Sequence, residues 1–292
     1  MNEFGKVLEN VSLKDYSTFK IGGITKYLVK PYSEEKLSKL IKYLNKNKTK
    51  YYIIGNGSGL IIDDNFFNGV IIKLDYFKDI KYQDNLVTVG SGVILSNFVN
   101  DNFKYGYTNL AFLSMIPGTI GGAVVVNAGC YGDEIINYVK KVKVLDKAGN
   151  IKILDKNEIS YGYRYTTLKD KYIVLETTFI LKKGDVLKTK EWLKEQNNKR
   201  INAQPLDKFS VGSIFRNPEE HPAWVLIDKI GMRGKTVGGA LVSSKHANFI
   251  VNEKDASFKD VIELINIIKK KVKDKYEISL VVEPTILRWD EL

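Results

Sequence analysis

The sequence predicts a fold in which α-helices and β-strands are mixed along the chain, and three segments indicate this most clearly. Residues 33–47 have the spacing of an amphipathic helix with Ser33 as its N-cap. Residues 51–54 form an apolar, strand-like run that ends in the glycine-rich turn 55–59. Residues 142–154 predict a β-hairpin, because two alternating apolar runs flank a turn-forming segment. The predicted buried face of the first helix consists of Leu37, Leu40, Ile41 and Leu44.

The same mixture continues through the remaining elements. Ser257 is the expected cap of a final helix, whose predicted buried face consists of Val261, Leu264, Ile265, Ile268 and Val272. Residues 105–132 carry no charge, but glycine, proline and asparagine interrupt them, so we expect a buried, irregular segment rather than a membrane span. Further strands are predicted at 70–74, 86–90, 172–181 and 277–282, a helix at 95–102, and an exposed helix that could connect two domains at 188–200.

Length and charge limit the classes of protein that fit. A chain of 292 residues corresponds to about two domains. The formal net charge of +11 predicts a positive field that concentrates anionic partners such as nucleotides, phosphates or nucleic acid. A lysine-rich composition typical of the source is the alternative explanation, so charge alone does not decide the function.

Cysteine and histidine are scarce. One cysteine, Cys130, cannot form an internal disulfide, and two histidines, His221 and His246, leave little material for a zinc site, so no metal is expected. The N-terminus lacks the apolar core of a signal peptide. We therefore expect a cytoplasmic protein without membrane insertion.

Two glycine-rich segments are candidates for cofactor binding. The turn at 55–59 follows a strand, so its backbone N–H groups could approach a pyrophosphate, although a plain turn is the alternative and the Rossmann spacing is absent. Residues 116–129 combine four glycines and a proline in an apolar stretch, which suits either a planar ligand with phosphates or close packing of chain on chain. Together the two segments favour a cofactor.

Three side chains elsewhere are candidates for chemistry: Arg164, Ser213 and Glu283. Each by itself is ordinarily structural, as a surface cation, a turn hydroxyl or a strand-end carboxylate. His246 is likewise ordinarily a packing residue, and no Ser-His-Asp arrangement is evident around it.

Six ordered motifs give the chain a specific resemblance over nearly its full length. They are YSTFKIGG (16–23), IGNGSGLII (54–62), IPGTIGGAVVVNAGCYG (116–132), YGYRYT (161–166), QPLDKFSVGSIFRNP (204–218) and GGALVSSKHANFIVN (238–252). In these motifs the sequence resembles the UDP-N-acetylenolpyruvoylglucosamine reductase family, in its shorter subgroup without a tyrosine-bearing insertion. The resemblance implies an α+β fold: an FAD-binding domain of the vanillyl-alcohol-oxidase (PCMH) type at 1–185, in two α+β subdomains of about 1–80 and 81–185, and a smaller α+β substrate-binding domain at 200–292.

The resemblance also implies ligands and site residues. FAD is the expected cofactor, NADPH the co-substrate and a UDP-sugar the substrate, with no nucleic acid and no obligatory protein partner. Arg164, Ser213 and Glu283 take the catalytic positions. Cofactor binding is expected at Gly55, Asn56, Gly57, Ser58, Gly59, Pro117, Gly118, Thr119, Gly122 and Ala123. Substrate binding is expected at Lys208, Arg216 and Asn217, where cations suit a diphosphate.

The sequence departs from the family pattern at several positions and leaves two alternatives. Gly59, Ala111, Met115, Thr166 and Pro284 stand where the family usually has other residues. A different FAD-dependent oxidoreductase on the same fold would keep the glycine segments without the three catalytic residues. A basic nucleic-acid-binding module is supported only by charge and aromatic content.

Overall fold

The computed structural model describes residues 1–291, in which the chain forms two compact units. Unit 1 comprises Met1–Glu9, Lys26–Asn56 and Asn68–Asn197. Unit 2 comprises Asn10–Thr25, Gly57–Phe67 and the described residues from Asn198 onward.

Secondary structure alternates along both units. The strands are Gly5–Ser12 (β1), Ile24–Pro31 (β2), Tyr51–Ile54 (β3), Leu60–Ile62 (β4), Phe67–Lys73 (β5), Ile80–Gln83 (β6), Leu86–Gly90 (β7), Gly129–Cys130 (β8), Asp133–Glu134 (β9), Val139–Asp146 (β10), Ile151–Asp155 (β11), Tyr161–Gly162 (β12), Tyr165–Thr166 (β13), Tyr172–Ile180 (β14), Thr236–Val237 (β15), Ala240–Val242 (β16), Ile250–Asn252 (β17) and Thr285–Leu287 (β18). The α-helices are Glu34–Lys46 (α1), Leu95–Lys104 (α2), Ile120–Val125 (α3), Val186–Ala203 (α4), Ala223–Lys229 (α5) and Phe258–Tyr276 (α6). Short 3-10 helices occupy Leu13–Tyr16, Ala111–Met115, Ile135–Tyr138 and Lys156–Glu158.

Unit 1 contains two sheets. Antiparallel strands form a five-stranded sheet in the order β11-β10-β14-β7-β6. A four-stranded sheet in the order β1-β2-β5-β3 is built mainly from unit 1, and its strands β3 and β5 run parallel. Helix α1 contributes its apolar face to a core that includes Val70 and Ile72 of β5. Because β3 and β5 are parallel neighbours, their C-terminal ends at Ile54 and Lys73 lie side by side, and the glycine-rich turn begins directly after β3.

Unit 2 is a smaller α+β assembly. Its three-stranded antiparallel sheet has the order β15-β16-β17, and α6 packs its apolar face into the same core as this sheet. Strands β4 and β18 form a separate parallel pair. This pairing joins residues 60–62 to the C-terminal part of the same unit.

Most of the elements predicted from the sequence are confirmed. Helix α1 begins after Ser33, whose Oγ accepts a hydrogen bond from the N–H of Lys36 at 3.2 Å, and the four leucine and isoleucine residues of its predicted face are buried. Helix α6 begins after Ser257 and buries all five predicted residues. The hairpin at 142–154 forms as β10 and β11. Helix α4 has no buried residues along its length, as expected for the exposed segment.

Three expectations differ from the structure. The strand predicted at 277–282 is wrong, because Glu277 ends α6 in the left-handed region (φ 60°) and the following residues form a single bridge, at Val282. Residues 105–132 are not wholly irregular, since they include α3. The compact units are also discontinuous in sequence, whereas the predicted domains were continuous; the functional division at 1–185 and 200–292 stays a prediction. No helix within residues 1–291 is both long enough and apolar enough to cross a bilayer.

Candidate active site

The two glycine-rich segments meet inside unit 1, at Gly55 and Thr119. A Cβ atom added to Gly55 would lie 2.7 Å from Oγ1 of Thr119, a distance that real Cβ atoms do not reach. Residue 55 must therefore lack a side chain for the segments to approach this closely. Backbone hydrogen bonds hold the Thr119 segment in place, from Leu95 to the carbonyl of Gly118 and from Ile120 to the carbonyl of Val93.

The backbone at this meeting point suits an anionic group. The N–H groups of Asn56, Gly118 and Thr119 donate no hydrogen bond to any of the described residues. By contrast, N–H groups in the first turn of α3 already have partners within the protein. The N–H of Gly121 donates to the carbonyl of Ser91, and the N–H of Gly122 donates to Oγ1 of Thr119. The available donors thus lie in the loop before α3 and in the turn after β3. Backbone N–H groups of this kind can bind the diphosphate of a nucleotide cofactor, so the residues present fit FAD.

The later part of the glycine turn, in unit 2, is shaped by packing of chain on chain. A Cβ at Gly57 would lie 2.0 Å from the carbonyl oxygen of Tyr16, and Gly57 has a φ of +67°. The carbonyls of Gly57 and Gly59 accept hydrogen bonds from Thr18 and Thr285. A Cβ at Gly59 would meet no atom within 4 Å, so the space beside that residue is open.

Arg164 lies in unit 1 on the turn that joins β12 to β13. Its φ of 56° is unusual for a bulky side chain. The guanidinium Nη2 donates to the carbonyl of Gly129 at 2.8 Å, and Cζ lies 4.9 Å from the centroid of the Tyr163 ring. The side chain is half-buried. Several contacts therefore determine the position of this cation.

Ser213 and Glu283 lie on adjacent backbone segments of unit 2. Phe215 and Val282 form an antiparallel bridge, and the N–H of Glu283 donates to the carbonyl of Ile214 at 2.9 Å. Ser213 is therefore one residue away from the position that faces Glu283. Both side chains are half-buried. Of the three predicted catalytic residues, these two belong to the same unit and lie on neighbouring backbone segments.

Sequence reasoning missed the residue that holds the serine segment, Asn248. Its Oδ1 accepts the N–H of Phe215 at 3.0 Å, and its Nδ2 donates to the carbonyl of Phe215 at 2.8 Å. Its own carbonyl accepts the N–H of Ile214 at 2.8 Å. Asn248 is 3% exposed. The sequence signals at Asn248 were its place in the family motif 238–252 and a polar residue within an apolar run, and neither identifies this role.

The three predicted substrate residues also lie in unit 2. The ammonium of Lys208 pairs with the Glu253 carboxylate at 3.1 Å, and the N–H of Arg216 donates to the carbonyl of Val281 beside the bridge between Phe215 and Val282. Asn217 is exposed, and its Oδ1 accepts the N–H of Ala223 at 3.0 Å at the start of α5. Among the described residues, no group of three His, Cys, Asp or Glu side chains has the arrangement of a metal site.

Comparison with protein families places the chain among the FAD-dependent oxidoreductases of the vanillyl-alcohol-oxidase (PCMH) type. A family model of an FAD-binding domain matches residues 25–155, which carry the N–H donors of unit 1. A second family model, of the C-terminal domain of UDP-N-acetylenolpyruvoylglucosamine reductase, matches residues 204–287, which carry Ser213 and Glu283.

Full-length relatives give the family. The chain is 39% identical to the UDP-N-acetylenolpyruvoylglucosamine reductase of Caldanaerobacter subterraneus subsp. tengcongensis, covering 97% of this chain and 94% of the relative. It is 40% identical to that of Clostridium tetani, covering 98% and 94%. The crystal structure of the reductase (MurB) from Thermus caldophilus matches 98% of this chain and 100% of that one, with a TM-score of 0.83 and 31% identity. The chain belongs to the UDP-N-acetylenolpyruvoylglucosamine reductase family. This assignment replaces the two alternatives, a different flavoenzyme on the same fold and a nucleic-acid-binding module.

Proposed function

We propose that this protein reduces the enolpyruvyl group of UDP-N-acetylglucosamine enolpyruvate to give UDP-N-acetylmuramate, a peptidoglycan precursor, with FAD as cofactor and NADPH as reductant. The observation that carries this proposal is the identity of 39–40% to reductases of that name over nearly the whole chain. The N–H donors around Gly118 support the cofactor. Bound FAD supplies the hydride chemistry that connects NADPH with the substrate.

Arg164 and Glu283 are proposed to stabilise the negative charge of the reaction. Hydride addition to the substrate double bond leaves charge on the neighbouring carbon and its carboxylate. A guanidinium fixed by Gly129 and a hydrogen-bonding carboxyl group oppose that charge, and donors of this kind are each worth on the order of 10² to 10³ in rate. The role of Arg164 rests on the family motif and on its restricted position.

Ser213 is proposed to give its Oγ proton to the substrate carbon that carries this charge. Serine is a weak acid in water, but an enolate carbon is a strong base, so the transfer is feasible where nearby groups stabilise the resulting alkoxide. General acid catalysis of this kind contributes about 10² to 10⁴ in rate. The pairing of the segments that carry Ser213 and Glu283 supports a shared role for these two residues.

Lys208, Arg216 and Asn217 are proposed to bind the UDP part of the substrate. Lys208 would exchange its exposed carboxylate partner, Glu253, for a phosphate. Asn217 already uses its Oδ1 at the start of α5, so its amide nitrogen is the atom offered to the substrate. We further propose a cytoplasmic location, in keeping with the single cysteine.

The test separates the two half-reactions under anaerobic conditions, by following flavin absorbance first with NADPH and then with the enolpyruvyl sugar nucleotide. Ser213→Ala is expected to leave reduction by NADPH near the wild-type rate and to slow reoxidation by substrate about 10²- to 10⁴-fold. Ser244→Ala, at an exposed serine of the same unit, is the matched control and should leave both rates unchanged. Equal loss of both half-reactions in Ser213→Ala would contradict the serine's role, and a wild-type protein that the sugar nucleotide does not reoxidise would contradict the proposed reaction.

A further inference from the structure

Asn127 is a fully buried polar residue whose side chain has all its hydrogen-bonding groups engaged. It is 0% exposed. Its Nδ2 donates to Oε2 of Glu134 at 2.8 Å and to the carbonyl of Gly162 at 2.9 Å, and its Oδ1 accepts the N–H of Ile136 at 3.3 Å. Its φ of 47° is in the left-handed region, which asparagine tolerates better than most residues. Both the backbone and the side chain therefore favour asparagine at this position.

The partners of Asn127 are the two segments that hold Arg164. Gly162 lies two residues before Arg164, at the end of β12. Glu134 belongs to β9, which pairs with β8, where Gly129 accepts the Arg164 guanidinium at 2.8 Å. One amide thus connects the backbone that carries the arginine to the hairpin that receives its side chain. All of these residues lie in unit 1.

We propose that Asn127 is a positioning residue, which fixes Arg164 for its role in substrate reduction. This inference rests on the proposed function of Arg164. The turn needs an external support, because a bulky residue at positive φ costs of the order of 1–3 kcal/mol and persists only where its surroundings enforce it. The hydrogen bond to Gly162 supplies that support at the backbone, and the Gly129 carbonyl supplies it at the guanidinium.

The amide chemistry gives the proposal a sharp test. In the wild type, the amide nitrogen of Asn127 donates to Glu134 and to the Gly162 carbonyl. Asn127→Asp preserves the shape of the side chain but places a carboxylate oxygen, which cannot donate, against these two acceptors. Adding Glu134→Gln restores a donor to the 127–134 pair, because the glutamine amide can donate to the new aspartate. It does not restore a donor to Gly162. The double variant therefore separates support of the hairpin from support of the Arg164 turn.

The experiment compares the FAD-loaded wild type with Asn127→Asp, Asn127→Asp/Glu134→Gln and Asn127→Gly, the last of which keeps the positive φ accessible if the aspartate variant does not fold. Thermal unfolding, FAD affinity and the two anaerobic half-reactions are measured for each. Asn137→Asp is the matched control, since its exposed Nδ2 donates to Asp133 at 3.0 Å and the change creates a similar pair of carboxylates at the surface.

The proposal predicts a separation of stability from rate. In the double variant, Tm and FAD affinity recover part of what Asn127→Asp loses, and reduction by NADPH proceeds within about twofold, while reoxidation by the sugar nucleotide stays about 10- to 100-fold slow, the scale expected for a displaced catalytic group. Asn127→Gly should also slow reoxidation more than reduction. If the double variant recovers both its Tm and its reoxidation rate, or if Asn127→Gly slows the two half-reactions equally, Asn127 supports the fold alone and the proposal is wrong.

A reference variant distinguishes this failure from failure of the proposed function. Arg164→Met should slow reoxidation by the sugar nucleotide, and adding Asn127→Gly to it should cause little further loss, because both changes act through one side chain. Normal reoxidation in Arg164→Met would contradict the role of the arginine itself. Slow reoxidation in Arg164→Met together with normal reoxidation in Asn127→Gly would contradict the positioning role alone.

Discussion

The ammonium of Lys73 donates a hydrogen bond to the carbonyl of Gly55 at 2.5 Å, which joins the end of β5 to the residue that follows β3. The same ammonium lies 3.7 Å from the Asp75 carboxylate, and Lys30 pairs with that carboxylate at 2.6 Å. Burial lowers the pKa of Lys73, while the charge of Asp75 opposes this shift. The Gly55 carbonyl and the N–H of Asn56 belong to the same planar peptide group and point in opposite directions. Because Lys73 binds the carbonyl, it orients this peptide group with the N–H as a donor for a cofactor phosphate.

Replacing Lys73 with methionine should weaken FAD binding. The Gly55 carbonyl would lose a charged donor worth about 1.5–3 kcal/mol, so the Kd for FAD is expected to rise about 10- to 100-fold if the turn depends on that bond. Titration of the apoprotein by flavin fluorescence measures this change. Lys78→Met, at an exposed lysine nearby, controls for the loss of charge and should leave the Kd unchanged. Equal affinities in the two variants would show that the turn is rigid without Lys73.

The sequence was sufficient to predict elements whose causes are local. The cap and buried face of α1 lie within one segment, and so do the turn and strands of the hairpin β10–β11, so spacing alone determined them. The strand predicted at 277–282 does not form, because the left-handed conformation of Glu277 is not visible in a run of apolar and charged residues. The local pattern thus predicts helix α6, but not the backbone conformation of the segment that follows it.

Contacts within the candidate site were less predictable for a physical reason. Lys73, Asn127 and Asn248 each bind a backbone carbonyl far away in the sequence, and any residue type can supply a carbonyl. No residue pattern therefore records the partner. The family motifs indicated Arg164 and Ser213 as candidate catalytic residues, whereas the side chains that hold their backbone segments are recognised only in the folded structure.

Removing the Asn248 side chain should destabilise the protein. Asn248→Ala leaves both polar groups of the buried Phe215 backbone without their partner, at about 1–3 kcal/mol for each group, so a loss of about 2–6 kcal/mol in unfolding free energy is expected. Urea unfolding measures it. Asn202→Ala, at an exposed position of α4, should stay within about 0.5 kcal/mol of wild type. A comparable, small effect in both variants would mean that water replaces the amide.

Gly57 and Gly59 should respond differently to the same substitution. Gly57→Ala forces a methyl group onto the Tyr16 carbonyl at a positive φ, whereas Gly59→Ala places it in open space. We expect a loss of about 2–4 kcal/mol in unfolding free energy for the first change and less than about 0.5 kcal/mol for the second. Urea unfolding of both variants in parallel tests this, and a stable Gly57→Ala protein would contradict the close packing of this turn.

Protonation of His246 should destabilise the fold near the serine segment. Burial, aided by the positive charge of Arg233, lowers the pKa of His246 below its usual 6.5. Its Nδ1 accepts the N–H of Asn248 at 3.3 Å, and protonation would remove that acceptor. As the pH falls through 6.5, the unfolded chain binds a proton that the folded chain resists, so the unfolding free energy must decrease until the folded pKa is passed.

His246→Gln should therefore flatten the pH dependence of stability just below pH 6.5. The measurement is urea unfolding at closely spaced pH values between about 7 and 5, where wild type is expected to lose unfolding free energy at up to about 1.4 kcal/mol per pH unit from this group. His221→Gln, at the exposed histidine, is the matched control and should retain the wild-type slope. If His246→Gln keeps the wild-type dependence of unfolding free energy on pH, a group other than His246 is responsible for it.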